Sequence, residues 1–156
     1  MTKFLMVCMG NVCRSPMAQI VTLHLAQQTG VRGIQVDSAG THASRGKEPP
    51  DPRAKAVLSA RGFPIGKSRS RQLVAQDFER YDLILAMDQA NLNDLRRSCP
   101  NEHAHKLRLF LEFAEGLDVR EVPDPYYSNS QAFEHVLDLC EAGARGLVAL
   151  HLTTPR

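Results

Sequence analysis

The nine residues Cys8-Met9-Gly10-Asn11-Val12-Cys13-Arg14-Ser15-Pro16 constrain this chain more than any other stretch. Residues 4–7 just before them are apolar, with the length and character of a strand buried on both faces. Pro16 suits the first helical position, where a missing N–H costs nothing. A thiol therefore sits at the end of a strand, a Gly-containing loop follows, and an arginine lies six residues on at a helix start. Each part suits an anion. Successive loop N–H groups turned inward form an anion-binding nest, and the helix adds its positive end. Arg14 can grip two phosphate oxygens in parallel, which a lysine cannot. Cationic neighbours and helix N-termini favour an ionised thiol, so Cys8 is expected to be a thiolate placed for in-line attack on phosphorus. Asn11 and Ser15 are short hydrogen-bonding residues able to fix the loop. Met9, Gly10, Val12 and Cys13 complete its phosphate-binding set. A nucleotide loop is disfavoured, because neither G-x-G-x-x-G nor Gly-Lys-Ser/Thr follows the first strand.

The rest of the chain alternates strands with helices. Residues 16–28 read as a helix ended by Gly30, with an apolar side of Met17, Ile20, Val21, Leu23 and Leu25. Residues 33–38 alternate apolar and polar, as a strand near a sheet edge would. The Gly- and Pro-rich stretch 41–52 is a loop, from which Asp51 caps a helix beginning at Pro52 and running to about Arg61. A helical turn is expected at 77–81, a strand at 83–87, a helix at 89–97 and a fourth strand at 107–111. A last helix spans 131–145, with Phe133, Val136, Leu137, Cys140 and Ala144 at helical spacing, so Cys140 is a packing residue. The pattern predicts one α/β domain over 1–156. It is a three-layer α/β/α sandwich on a four-stranded parallel sheet of flavodoxin-like topology, with function at the carboxyl ends of the strands.

Composition removes several function classes. Lys plus Arg, 19 residues, barely exceeds Asp plus Glu, 17, which gives no reason to expect nucleic acid or an anionic membrane as partner. Four scattered cysteines do not make a disulfide scaffold, and His103 and His105, the one tight histidine pair, read as a polar surface loop and not as metal ligands. Neither a metal nor a cofactor is expected. The apolar N-terminal run is roughly half a signal-peptide core, and no stretch approaches the ~20 apolar residues of a membrane span. A cytoplasmic protein with reduced thiols is the expectation.

The loop resembles the phosphate loop of the low-molecular-weight protein tyrosine phosphatases. Ser38-Ala39-Gly40-Thr41, Asp51-Pro52-Arg53-Ala54 and Asp124-Pro125-Tyr126-Tyr127 match that family in the same order, as do Arg71-Gln72-Leu73 and Met87-Asp88. The resemblance spans nearly the whole chain. It implies hydrolysis of phosphotyrosine through a cysteinyl-phosphate on Cys8, with phosphotyrosine-containing proteins as partners and the chain a monomer or weak homodimer. It implies that Asp124 is the general acid and later the base, the two prolines beside it stiffening its loop. Tyr126 and Tyr127 become the aromatic wall of the pocket, and Ser38 a hydrogen-bonding support of the loop. Cys13 is expected to trap an oxidised Cys8 as a reversible disulfide.

Two departures stand out. Loop 41–46 lacks the large aromatic that many relatives carry, so an open, polar pocket mouth is expected, with His42 or Arg45 meeting acidic peptides. Ser68 replaces a common histidine. Thioredoxin-coupled arsenate reductases, which share the fold, need cysteines that residues 85–91 lack. Protein arginine phosphatases typically place threonine where this chain has Val12, which favours aryl phosphate. A binding module without turnover, the other alternative, should have lost Cys8, Arg14 or Asp124.

Overall fold

A computed structural model describes residues 1–43 and 46–153. Its four strands are β1 (Thr2–Cys8), β2 (Ile34–Gly40), β3 (Leu83–Ala86) and β4 (Leu107–Leu109). The helices are α1 (Arg14–Gln28), α2 (Pro52–Ala60), α3 (Asp77–Arg80), α4 (Gln89–Ser98) and α5 (Ser130–Thr153). All strand pairs are parallel, in the order β2-β1-β3-β4. β2 is an edge strand, as its alternation predicts. β1 carries β2 on one side and β3 on the other, so the chain reverses its winding direction beside β1. That switch point is where open α/β sheets bind ligands.

Alternation along β1 divides the core. Phe4, Met6 and Cys8 face α1 and α5, packing with Met17, Val21, Phe133 and Leu137. Leu5 and Val7 face α3 and α4, packing with Phe78, Tyr81, Leu92 and Leu95. Side chains of a strand point alternately to opposite faces, so a strand covered on both sides must be apolar throughout. Cys8 ends this run, held between Gly40 of β2 and Met87, whose N–H donates to the Val7 carbonyl at 3.0 Å.

Several boundaries move for physical reasons. α1 begins at Arg14, two residues before Pro16, because no N–H of the first turn has an intrahelical partner and proline is free to occupy any of those places. Leu23, expected on the apolar side of α1, is exposed. Asp51 caps α2 as expected, accepting from the Arg53 N–H at 2.8 Å. β4 stops at Leu109, where the chain tightens into a 3-10 turn over Phe110–Phe113 that buries Phe110 and Leu111. α5 runs on to Thr153 through Gly146, where a Cβ would lie 1.6 Å from the Phe113 carbonyl oxygen. His103 and His105 fall in another 3-10 turn, Asn101–Lys106, and no metal-holding cluster occurs among the described residues. No described helix is long and apolar enough to cross a membrane.

Candidate active site

The segment between β1 and α1 wraps back on the Cys8 sulfur. Asn11 adopts a φ of 59°, a left-handed conformation that asparagine tolerates better than most residues, and this turns its N–H onto Cys8 Sγ at 3.2 Å. Ser15 Oγ lies 3.0 Å from the same sulfur. Asn11 Nδ2 donates to Ser15 Oγ at 2.8 Å, while its Oδ1 accepts from the Arg71 N–H at 2.9 Å. The side chain of Asn11 therefore ties the loop to α1 and to the segment outside β2. Asn11, Ser15 and Cys8 are all buried.

Arg14 is buried in the first turn of α1 and is held from two sides. Its Nη1 donates to Asp88 Oδ2 at 2.6 Å and to the Val122 carbonyl at 3.0 Å. Its Nη2 lies 3.8 Å from Asp124 Oδ2. Burial works against the charge, but the bond to Asp88 and the proximity of Cys8 and Asp124 more than offset it, so the guanidinium is held above its ordinary value. With Nη1 engaged on the protein, Nε and Nη2 remain for an oxyanion.

Cys8, Met9, Gly10, Val12, Cys13, Arg14, Asp124, Tyr126 and Tyr127 line a cavity of about 260 Å³. Nine of the residues expected to form the site thus meet in one place, with Asn11 and Ser15 immediately behind the sulfur. Tyr126 and Tyr127 meet edge to face at 4.9 Å, with Tyr127 almost fully exposed. Asp124 accepts from the Tyr126 N–H at 3.1 Å, a local turn that sets the carboxyl beside the ring. Cys13 is buried, and burial, followed by the charges of Asp51, Cys8 and Asp124, pushes its thiol up to about 12.

Two expectations change. Ser38 does not reach the loop: its hydroxyl donates to Gln19 Oε1 at 2.6 Å, and Gln19 Nε2 bonds the Val36 carbonyl and Ser68, so Ser38 fixes α1 against β2. Asn11 itself braces the loop as expected, because its amide carries donor and acceptor on separate atoms that reach Ser15 and the Arg71 N–H at once. His42 is mostly exposed, with Nδ1 3.9 Å from Asp94 of α4, and it does not line the cavity. Arg45 lies outside the described residues. Sequence reasoning passed over Asp88, although Met87-Asp88 follows β3 directly and its strand partner in the sheet is β1. A carboxylate at the carboxyl end of the strand beside Cys8 was the available signal.

Fold and site together define a phosphatase. A family model described as low molecular weight phosphotyrosine protein phosphatase matches residues 3–154. A putative low molecular weight protein-tyrosine-phosphatase of Synechocystis is 39% identical over 148 residues, 94% of each chain. The crystal structure of a low molecular weight phosphotyrosine phosphatase from Vibrio cholerae superposes with a TM-score of 0.92 at 42% identity, covering 98% of both chains. Vibrio vulnificus Wzb, solved in complex with benzylphosphonate, gives a TM-score of 0.83 at 29% identity, covering 96% of this chain and 98% of that one. The chain belongs to the low-molecular-weight protein tyrosine phosphatase family.

Proposed function

We propose that this chain hydrolyses phosphotyrosine in proteins, and small aryl phosphates, through a cysteinyl-phosphate on Cys8. The supporting observation is convergence: the Asn11 N–H and Ser15 hydroxyl meet at Cys8 Sγ on the floor of a cavity rimmed by Asp124 and Tyr126. In the first step the thiolate attacks phosphorus and the P–O bond to the aryl group breaks. Asp124 gives its proton to the departing phenolic oxygen. In the second step the Asp124 carboxylate takes a proton from water, whose oxygen attacks phosphorus as the S–P bond breaks. Phosphate leaves, and the thiolate and the protonated carboxyl are restored.

Arg14 binds two equatorial oxygens throughout and is favoured as charge builds in the transition state. Asp88 and the Val122 carbonyl keep its plane fixed while that happens. The Tyr126 ring fits a flat phenyl group, and benzylphosphonate bound to Wzb has the same aryl-plus-phosphorus outline. Val12, a methyl-bearing residue beside the thiol, suits an apolar leaving group better than a phosphoguanidinium.

Turnover of p-nitrophenyl phosphate by the wild type, and its loss in Cys8→Ser, tests the chemistry. Parallel assays with phosphotyrosine and phosphoarginine peptides test the substrate class. Equal or better release from phosphoarginine would reverse the assignment.

A further inference from the structure

Arg53 lies outside the cavity lining yet lies against Tyr126, one of the two rings on its aromatic side. It is the second residue of α2, and Asp51 grips its guanidinium along one edge: Nε donates to Oδ1 and Nη2 to Oδ2, both at 3.0 Å. That fork leaves Nη1 free to donate to the Ser128 carbonyl at 3.1 Å. Among the described residues this is the one hydrogen bond reaching segment 123–128 from a side chain outside it. The guanidinium also covers two rings, with Cζ 5.6 Å from the centroid of Tyr126 and 4.7 Å from that of the fully buried Phe133.

The other end of this brace is the phosphate loop. The Asp51 N–H donates to the Val12 carbonyl at 2.8 Å. A continuous path thus runs from Val12 through Asp51 and Arg53 to Ser128 and the ring of Tyr126. The loop that receives phosphate is thereby set in register with the wall that receives the aryl ring. Tyr126 is nearly half exposed, and segment 123–128 is otherwise held by the buried Pro125, its own turns and the 3.8 Å approach of Arg14 to Asp124. Without Arg53 the ring would gain rotamers, and ordering it on binding would cost affinity.

We propose that Arg53 is a positioning residue that sets aryl specificity by holding Tyr126 over the phosphate loop. The inference rests on the aryl phosphatase reading above. A planar cation is required, because the residue must present one edge to Asp51, a further N–H to Ser128 and a face to two rings. Lysine has the charge but neither the fork nor the face.

Two competitive inhibitors of p-nitrophenyl phosphate hydrolysis separate this role from a merely structural one. Inorganic phosphate engages the loop alone; benzylphosphonate engages loop and wall. In Arg53→Ala and Arg53→Lys, the inhibition constant of benzylphosphonate rises about five- to tenfold, the size of a lost ring–cation contact, while that of phosphate stays within about twofold. KM rises with it and kcat changes less. In a Tyr126→Ala background, replacing Arg53 has no further effect on benzylphosphonate. Circular dichroism of each variant confirms that it is folded. Equal loss for both inhibitors, or loss for neither, overturns the role of Arg53 alone. A wild type inactive on aryl phosphate overturns the phosphatase reading and this inference with it.

Discussion

Arg14 and Asp88 are 74 residues apart in the chain, and the Arg14 guanidinium donates to the Asp88 carboxylate at 2.6 Å. Asp88 serves two masters, since its Oδ1 also accepts the Asn91 N–H at 2.8 Å and so caps α4. Asp88→Asn keeps an acceptor for the cap but removes the charge that orients Arg14. Its kcat/KM falls about tenfold or more as the guanidinium loses its fixed plane, with little change in melting temperature. Asp88→Ala loses the cap as well, a further ~1 kcal/mol of stability in a urea titration.

Asp124→Asn should lower kcat by a factor of roughly 10²–10⁴, the range for a lost general acid–base. The two chemical steps separate by leaving group. With p-nitrophenol, which departs readily unaided, formation of the intermediate suffers less than its hydrolysis. Rapid mixing then shows a burst of nitrophenol equal to the enzyme concentration. A loss of rate with no burst would mean that Asp124 serves only the first step.

Gly40 faces the phosphate loop at close quarters. A Cβ there would lie 2.6 Å from the Met9 carbonyl oxygen and 2.9 Å from the Ala43 Cβ. The first neighbour is backbone and cannot step aside. Gly40→Ala therefore displaces the loop, costs about 1–3 kcal/mol in stability by overpacking, and lowers phosphatase activity more than it lowers secondary structure by circular dichroism.

Asp51 carries a pH-dependent share of the stability. Its hydrogen bonds from Arg53 hold its carboxyl below the ordinary value of 3.8 despite burial. A depressed folded value means that the contribution is complete above the unfolded value and is lost as pH falls through the folded one. The stability gap between wild type and Asp51→Asn, from urea midpoints, is widest near about pH 7 and closes below about pH 4.

A thiol pushed up to about 12 leaves Cys13 protonated at neutral pH. In the redox role proposed for it, Cys13 is then a slow resolving group and not a site of first oxidation. The expected course is that peroxide oxidises Cys8 to its sulfenic acid and Cys13 condenses with that to a disulfide, releasing water. After a peroxide pulse, dithiothreitol restores the wild type more fully than Cys13→Ser, whose Cys8 proceeds to irreversible acids. Equal recovery of both would remove this protective role.

Local chemistry was the readable part of the sequence. The β1 run, the loop, the Asp51 cap and the buried face of α5 are each written in a few adjacent residues, and each stands where expected. What escaped depends on partners distant in the chain. A carboxylate just past β3 places Asp88 near the site, but its neighbours in sequence do not say that Arg14 is its partner, and Ser38 gives no sign that Gln19 will claim its hydroxyl. Gly146 looks like a place for a helix to stop. Only the arrival of the Phe113 carbonyl against α5 shows that glycine is there to admit a neighbouring backbone, and that the helix must pass through.

Cys8 is the last residue of β1, one of the two interior strands of the sheet, with β2 on one flank and the backbone that continues β3 on the other. Amide hydrogens along β1 should accordingly be among the slowest in the molecule to exchange with solvent, opening only when the whole domain does. Thermal inactivation would then coincide with global melting, and no partly opened species would keep a working nucleophile.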